Sequence, residues 1–110
     1  MHDLDRIPHK NVDYEYDQDN KNYIILMPHK GLNHKIAQKF FNRPEITRVK
    51  VKGMGNKVWE SINGENTIKD IGQILKSEYK DEAEPLYERL CLYLNGLEKN
   101  NFILIIYDTY

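Results

Sequence analysis

Alternating apolar and polar residues in the first half of the chain predict three β-strands. A period of two is typical of a strand that buries one face. The three segments are residues 12–16, residues 23–27 and residues 47–52. Residues 17–22 are polar and rich in turn formers, which predicts a hairpin between the first two strands. Pro28 cannot donate a backbone hydrogen bond and predicts the end of the second strand.

Apolar residues at helical spacing predict a short helix over residues 33–41 and three helices in the second half of the chain. The stripes of the latter are Val58, Trp59 and Ile62 in the first, Ile68, Ile71 and Leu75 in the second, and Leu86, Leu90, Tyr93, Leu94 and Leu97 in the third. Gly64 predicts the end of the first helix. Thr67 and Asp70 predict a capping box at the start of the second. Residues 102–107 are apolar on both faces and predict a covered strand.

The first two of these helices are joined by a tight turn and form a helix-turn-helix unit. The predicted fold class is therefore α+β and winged-helix-like. A small antiparallel sheet of about three strands packs on a three-helix bundle, with an extra C-terminal strand. A chain of 110 residues suits one core. We predict a single domain over residues 1–110, with residues 1–10 flexible.

The composition excludes several classes of protein. Charged residues make up 30% of the chain and the mean hydropathy is −0.74. No apolar run approaches the ~20 residues that span a bilayer. The polar residues 1–6 do not resemble a secretory signal. The single cysteine, Cys91, cannot form an internal disulfide, which suits a reducing compartment. We therefore expect a cytoplasmic protein with no membrane partner.

The net charge of −1 conceals a separation of charge along the chain. Residues 30–52 contain seven lysines and arginines and one acid, whereas residues 78–88 contain five acids and one lysine. A near-neutral total with a basic middle indicates a local electrostatic surface. It does not indicate a protein that wraps a polyanion.

The segment around the tryptophan resembles the core of the PqqD family. Residues 58–67 read Val-Trp-Glu-Ser-Ile-Asn-Gly-Glu-Asn-Thr, and the family pattern is roughly VWxxIDGxxT. The likeness extends to residues 28–31, 41–44, 83–90 and 97–98, and covers about residues 6–107. It implies a small peptide-binding module of winged-helix type, a RiPP recognition element. Such modules recognise the leader of a ribosomally synthesised precursor peptide and present it to a modifying enzyme, often a radical SAM enzyme.

The resemblance implies that the third predicted strand, residues 47–52, carries the peptide. The candidate peptide-binding residues on it are Arg48, Val49, Lys50, Val51 and Lys52. A peptide would add to the strand edge through backbone hydrogen bonds, and the cations would favour acidic side chains. Alternatively, the lysines only discourage edge-to-edge aggregation of the sheet. Without the resemblance, the residues favour this second interpretation. Residues 51–55 depart from the Leu-Asp-Glu-like segment common in the family, which predicts a more basic and more flexible site.

The third predicted helix would form the other wall of the site. The candidates on it are Tyr87, Leu90, Cys91 and Leu94, with Arg89 at the rim. Leu90 and Leu94 also suit a helical core stripe, whereas Tyr87 and Arg89 are typical of interfaces. For Trp59 and Cys91, burial is favoured over a binding or nucleophilic role.

The chain gives no positive sign of catalysis. Its four histidines lack the spacing of metal ligands, and one cysteine adds no second thiolate. Gly53 and Gly55 are not followed by the Gly-Lys-Ser/Thr of a phosphate-binding loop. No nucleophile and base occur at a known motif spacing. We predict a protein that is not an enzyme and holds no metal or cofactor.

The alternative function is a winged-helix DNA-binding regulator, since a helix-turn-helix unit can place a helix in the major groove. The third predicted helix, which would take the recognition position, begins with Glu82 and Glu84 and carries Glu88. These acids would repel the phosphate backbone, so we predict no nucleic-acid partner. The sequence leaves a monomer and a homodimer open, because an exposed strand can pair with its own copy.

Overall fold

The structure is a computed structural model that describes residues 4–28 and 46–107. In chain order its elements are strands β1 (Arg6–Lys10), β2 (Tyr14–Asp17), β3 (Asn22–Pro28) and β4 (Ile46–Lys50), helices α1 (Gly55–Ser61) and α2 (Ile68–Tyr79), a 3-10 turn (Lys80–Ala83), helix α3 (Leu86–Lys99) and strand β5 (Ile103–Tyr107). The predicted α+β class is confirmed. The short helix predicted over residues 33–41 lies outside the described residues. Within the described residues, no helix has the length and apolar character needed to cross a membrane.

Strands β2, β3 and β4 form an antiparallel sheet in that order, as the alternation predicts. The hairpin between β2 and β3 is held by Asp17, whose carboxylate accepts hydrogen bonds from the backbone N–H groups of Asp19 and Asn20 at 3.0 and 3.3 Å. Short acceptor side chains favour such turns. Strand β4 ends earlier than the predicted residues 47–52, because the chain turns at Gly53, where φ is +57°.

A second sheet pairs β1 with β5 in antiparallel register. The sequence predicts β5 but not β1, since Pro8 and the polar residues Arg6, His9 and Lys10 hide the strand pattern. Pro8 is fully buried and lies opposite Ile105. On the other face of β5, Leu104 and Ile106 are 49% and 48% exposed. The prediction that this strand is covered on both faces is therefore wrong, because α3 packs against it from one side.

Helix α2 begins with the capping box that the sequence predicts. The Thr67 N–H group donates to Asp70 Oδ2 at 3.0 Å, and the Asp70 N–H group donates to Thr67 Oγ1 at 3.1 Å. These bonds satisfy groups that a helix start leaves unpaired. Gly64 has φ of +79° in the turn between α1 and α2, a conformation that favours glycine. The three helices predicted in this half of the chain are confirmed.

The core is enclosed by the sheets and the three helices. Trp59, Ile62 and Leu94 have no exposed surface, as their helical stripes predict. The Trp59 ring meets Tyr14 edge-on, with centroids 5.7 Å apart. Burying an aliphatic side chain such as that of Leu94 stabilises a fold by about 1.5–3 kcal/mol. This packing holds α3 beside the end of β4, where the candidate site lies.

Candidate functional site

Strand β4 is an edge of its sheet in the described part of the chain, where it pairs with β3 alone. The Val51 N–H group donates to the Tyr23 carbonyl at 2.9 Å, and Val49 lies opposite Ile25. Backbone bonding to one neighbour alternates along an antiparallel strand. The backbone groups of Arg48 and Lys50 therefore point away from β3, toward the open side of the sheet.

Asn56 of α1 fixes the end of this edge. Its Oδ1 atom accepts a hydrogen bond from the Tyr23 N–H group at 2.7 Å, and its Nδ2 atom donates to the Val51 carbonyl at 3.2 Å. The side chain thus replaces the direct backbone bond that would complete this pair. The sequence does not predict the role of Asn56, because a single asparagine in a helix belongs to no motif that indicates such a bridge.

The side chains of β4 divide as the alternation predicts. Val49 is half-buried against the core, whereas Arg48 and Lys50 are exposed. Val51, just beyond the strand, is 3% exposed and belongs to the core. Its side chain therefore backs the site and is not free to contact a ligand. The adjacent Lys52 is exposed.

The cations of this segment differ in whether they form ion pairs. Arg48 forms an ion pair with Glu15 of β2. The described residues offer no such pair to Lys50, which lies near Asp17. The pKa of Asp17 is lowered mainly because Asn20 donates hydrogen bonds to the carboxylate, with a minor contribution from Lys50. The cationic character of the strand thus rests on Lys50 and Lys52 more than on Arg48.

A groove of about 440 Å³ opens between the turn that follows β4 and helix α3. Residues 52–55 form one wall, and Arg89, Leu90 and Tyr93 of α3 form the other. The rest of the lining is largely apolar and comes from Val58, Leu75, Ala83 and Leu86. The site is thus an apolar cleft with a cation, Lys52 or Arg89, on each wall.

The predicted residues of α3 do not all reach this groove. Leu86, Arg89, Leu90 and Tyr93 follow the i, i+3, i+4, i+7 spacing of one helical stripe and line it. Leu94 is fully buried and does not line it. Tyr87 lies on the neighbouring stripe, where its hydroxyl donates to the Lys69 carbonyl of α2 at 3.3 Å. The structure therefore brings Lys52, Arg89 and Leu90 together and leaves Tyr87 and Leu94 outside.

Arg89 and Tyr93 shape the walls of the groove. The Arg89 guanidinium donates to the Glu82 carbonyl at 2.9 Å, which ties the 3-10 turn to α3. The Tyr93 hydroxyl lies against Gly55, and burial raises the pKa of this phenol. Sequence reasoning placed Tyr93 only on the apolar side of the helix. Its amphipathic ring, four residues after Arg89, is the signal that would have marked it as a site residue.

Cys91 takes no part in the groove. Its side chain is buried, and burial raises the pKa of the thiol. A raised pKa keeps the sulfur protonated and unreactive. The predicted core role of Cys91 agrees with this environment.

Comparison with known proteins connects this site to a family. The family model described as coenzyme PQQ synthesis protein D (PqqD) matches residues 23–103. No curated protein and no solved structure matches the chain. The matched residues contain β3 except its first residue, all of β4, the three helices and both walls of the groove. Because the match extends over most of the 110 residues, the chain belongs to the PqqD family.

Proposed function

We propose that this protein binds the leader segment of a ribosomally synthesised precursor peptide and presents it to a modifying enzyme. Membership of the PqqD family supports binding of a precursor peptide. The observation that carries the mode of binding is the outward-facing backbone of Arg48 and Lys50 beside an apolar groove. A strand edge and a groove together can satisfy the backbone and the side chains of an extended peptide.

The leader would lie antiparallel to β4. Its backbone would bond to the outward groups of Arg48 and Lys50 and extend the sheet by one strand. Successive side chains would point to opposite faces of the sheet. Every second one would therefore face α3 and the groove, while the others would face Lys50 and solvent.

The role is binding and delivery, with the chemistry supplied by the partner enzyme. A leader held on a protein that docks to that enzyme raises the effective concentration of the modifiable segment. We propose a cytoplasmic accessory protein that is not itself an enzyme. The proposed partner is a modifying enzyme of the radical SAM type, as the PqqD resemblance implies.

The test is an NMR titration of the ¹⁵N-labelled protein with leader peptides of precursors encoded beside it. We expect amide shifts in residues 46–53 and in α3 around Arg89 and Tyr93, and little change in β1. A leader of scrambled sequence is the control. Absence of binding up to about millimolar peptide, or shifts confined to another surface, would contradict the proposal.

A further inference from the structure

We propose that the site selects a two-residue signature in the leader: an apolar side chain, followed directly by a carboxylate that faces Lys50. This inference rests on the antiparallel strand addition proposed above. It specifies the chemistry that such a strand must carry. Three features determine this signature: the position of the groove, the strand register and the unequal pairing of the cations.

The groove fixes the position of the apolar residue. Its walls begin at Lys52, immediately after the buried Val51. A peptide antiparallel to β4 enters at this end with its N-terminal residues. The peptide residue opposite Val51 has its side chain on the same face as Val51, because directly opposed residues share a face. That face is turned toward α3, since Val51 Cγ1 and the Tyr93 hydroxyl both lie against Gly55, a residue of the groove wall.

The register then fixes the position of the carboxylate. The next peptide residue lies opposite Lys50, and its side chain turns to the outer face of the sheet. Directly opposed side chains have Cβ atoms about 4.5–5.5 Å apart, within reach of an ion pair. The Lys50 side chain is exposed and has no ion pair with the described residues. The nearby Asp17 carboxylate already accepts hydrogen bonds from Asn20 and Asp19.

The ion pair of Arg48 makes the signature asymmetric. A peptide acid opposite Arg48 would have to compete with Glu15, which already binds that guanidinium. An acid opposite Lys50 displaces no ion-pair partner in the part of the chain that the structure describes. The site therefore distinguishes an acid directly after the apolar residue, opposite Lys50, from an acid three positions after the apolar residue, opposite Arg48.

The experiment uses four synthetic peptides of about ten residues, the length of a long strand. They share Ser/Thr flanks and differ only at the centre: Leu-Asp, Leu-Asn, Ala-Asp and the reversed Asp-Leu. Binding to the full chain is followed by NMR titration. We expect Leu-Asp to bind most tightly, with Leu-Asn about threefold weaker and Ala-Asp about tenfold weaker. The reversed peptide should bind more weakly than Leu-Asp.

A charge reversal tests the role of Lys50 directly. In Lys50→Glu, a fifth peptide with Leu-Lys at its centre should bind more tightly than Leu-Asp. In the control Lys69→Glu, an exposed position on α2 outside the groove, the original order should remain. Equal binding of Leu-Asp and Leu-Asn, an unchanged order in Lys50→Glu, or no binding by any of the peptides would overturn the inference. If natural leaders still shift the amide signals of residues 46–53 in that case, the proposed function stands and only the two-residue signature is wrong.

Discussion

The hydroxyl group of Tyr93 on α3 occupies the space where a Cβ atom of residue 55 would lie, at the start of α1. The same added Cβ would be 3.2 Å from Val51 Cγ1. Gly55 thus sets how closely the turn after β4 approaches α3. Since these two segments form the walls of the groove, the contact between Gly55 and Tyr93 sets its width.

Gly55→Ala should widen or distort the groove, because the new methyl group cannot share this space with the Tyr93 ring. Overpacking of this kind costs typically about 1–3 kcal/mol of unfolding free energy. We expect a loss in this range, and weaker binding of a leader peptide. Urea unfolding and peptide titration measure the two effects.

Gly96→Ala is the matched control for Gly55→Ala. Among the described residues, nothing lies within 4 Å of a Cβ built at Gly96 in α3, so this variant should gain about 0.5–1 kcal/mol from the lower entropy cost of alanine. Combining Gly55→Ala with Tyr93→Phe removes the hydroxyl and should recover part of the lost stability. A neutral Gly55→Ala variant would contradict the proposed control of groove width.

Lys50→Pro should weaken leader binding while the fold remains. Proline removes the backbone N–H of residue 50, which points away from β3, and edge strands tolerate proline at such positions. Loss of one hydrogen bond and of its neighbours should weaken binding about fivefold or more. Lys50→Ala, which keeps the N–H group, is the comparison. Equal affinities of these two variants would mean that the peptide does not pair with this edge.

Much of the fold could be predicted from periodicity, whereas the exact site could not. The apolar stripe that contains Leu94 predicts that α3 is a helix with one buried face. It does not predict which side of the helix lines the groove. Tyr87 lies two positions before Arg89, and at about 100° per residue it points to a different side of the helix. Arg89 reaches the groove, whereas Tyr87 faces α2. Strand β1 was missed because its pairing with β5 is a long-range contact with little local pattern. The bridge made by Asn56 has the same long-range origin.

Asn56→Ala should destabilise the end of β4. The substitution leaves the Tyr23 N–H and the Val51 carbonyl without their side-chain partner. A part-buried polar group left unsatisfied costs about 1–3 kcal/mol. We expect a loss of this size in urea unfolding, with faster amide exchange at Tyr23. Asn95→Ala, at an exposed position of α3, should change stability by less than about 0.5 kcal/mol. If both variants behaved alike, Asn56 would have no special role in the sheet.

Glu60 should give the stability of the protein a measurable dependence on acid pH. Its carboxylate accepts hydrogen bonds from Lys57 Nζ at 3.1 Å and from the Tyr23 hydroxyl at 3.2 Å. The Lys57 hydrogen bond is the main cause that lowers the pKa of Glu60 in the folded protein. A carboxyl group with a lowered folded pKa stabilises the fold above its unfolded pKa, and this stabilisation is lost as the pH falls through the folded pKa.

The wild type should therefore lose more stability than Glu60→Gln when the pH falls from neutral to below about 4. The Glu60 side chain is 52% exposed, so solvent screening limits the difference to about 0.5 kcal/mol. Urea unfolding at a series of pH values measures it. Glu65→Gln, which removes one exposed carboxylate outside this cluster, is the matched control for the change in net charge. Parallel curves for the wild type and Glu60→Gln would mean that the hydrogen bond from Lys57 does not stabilise the folded protein.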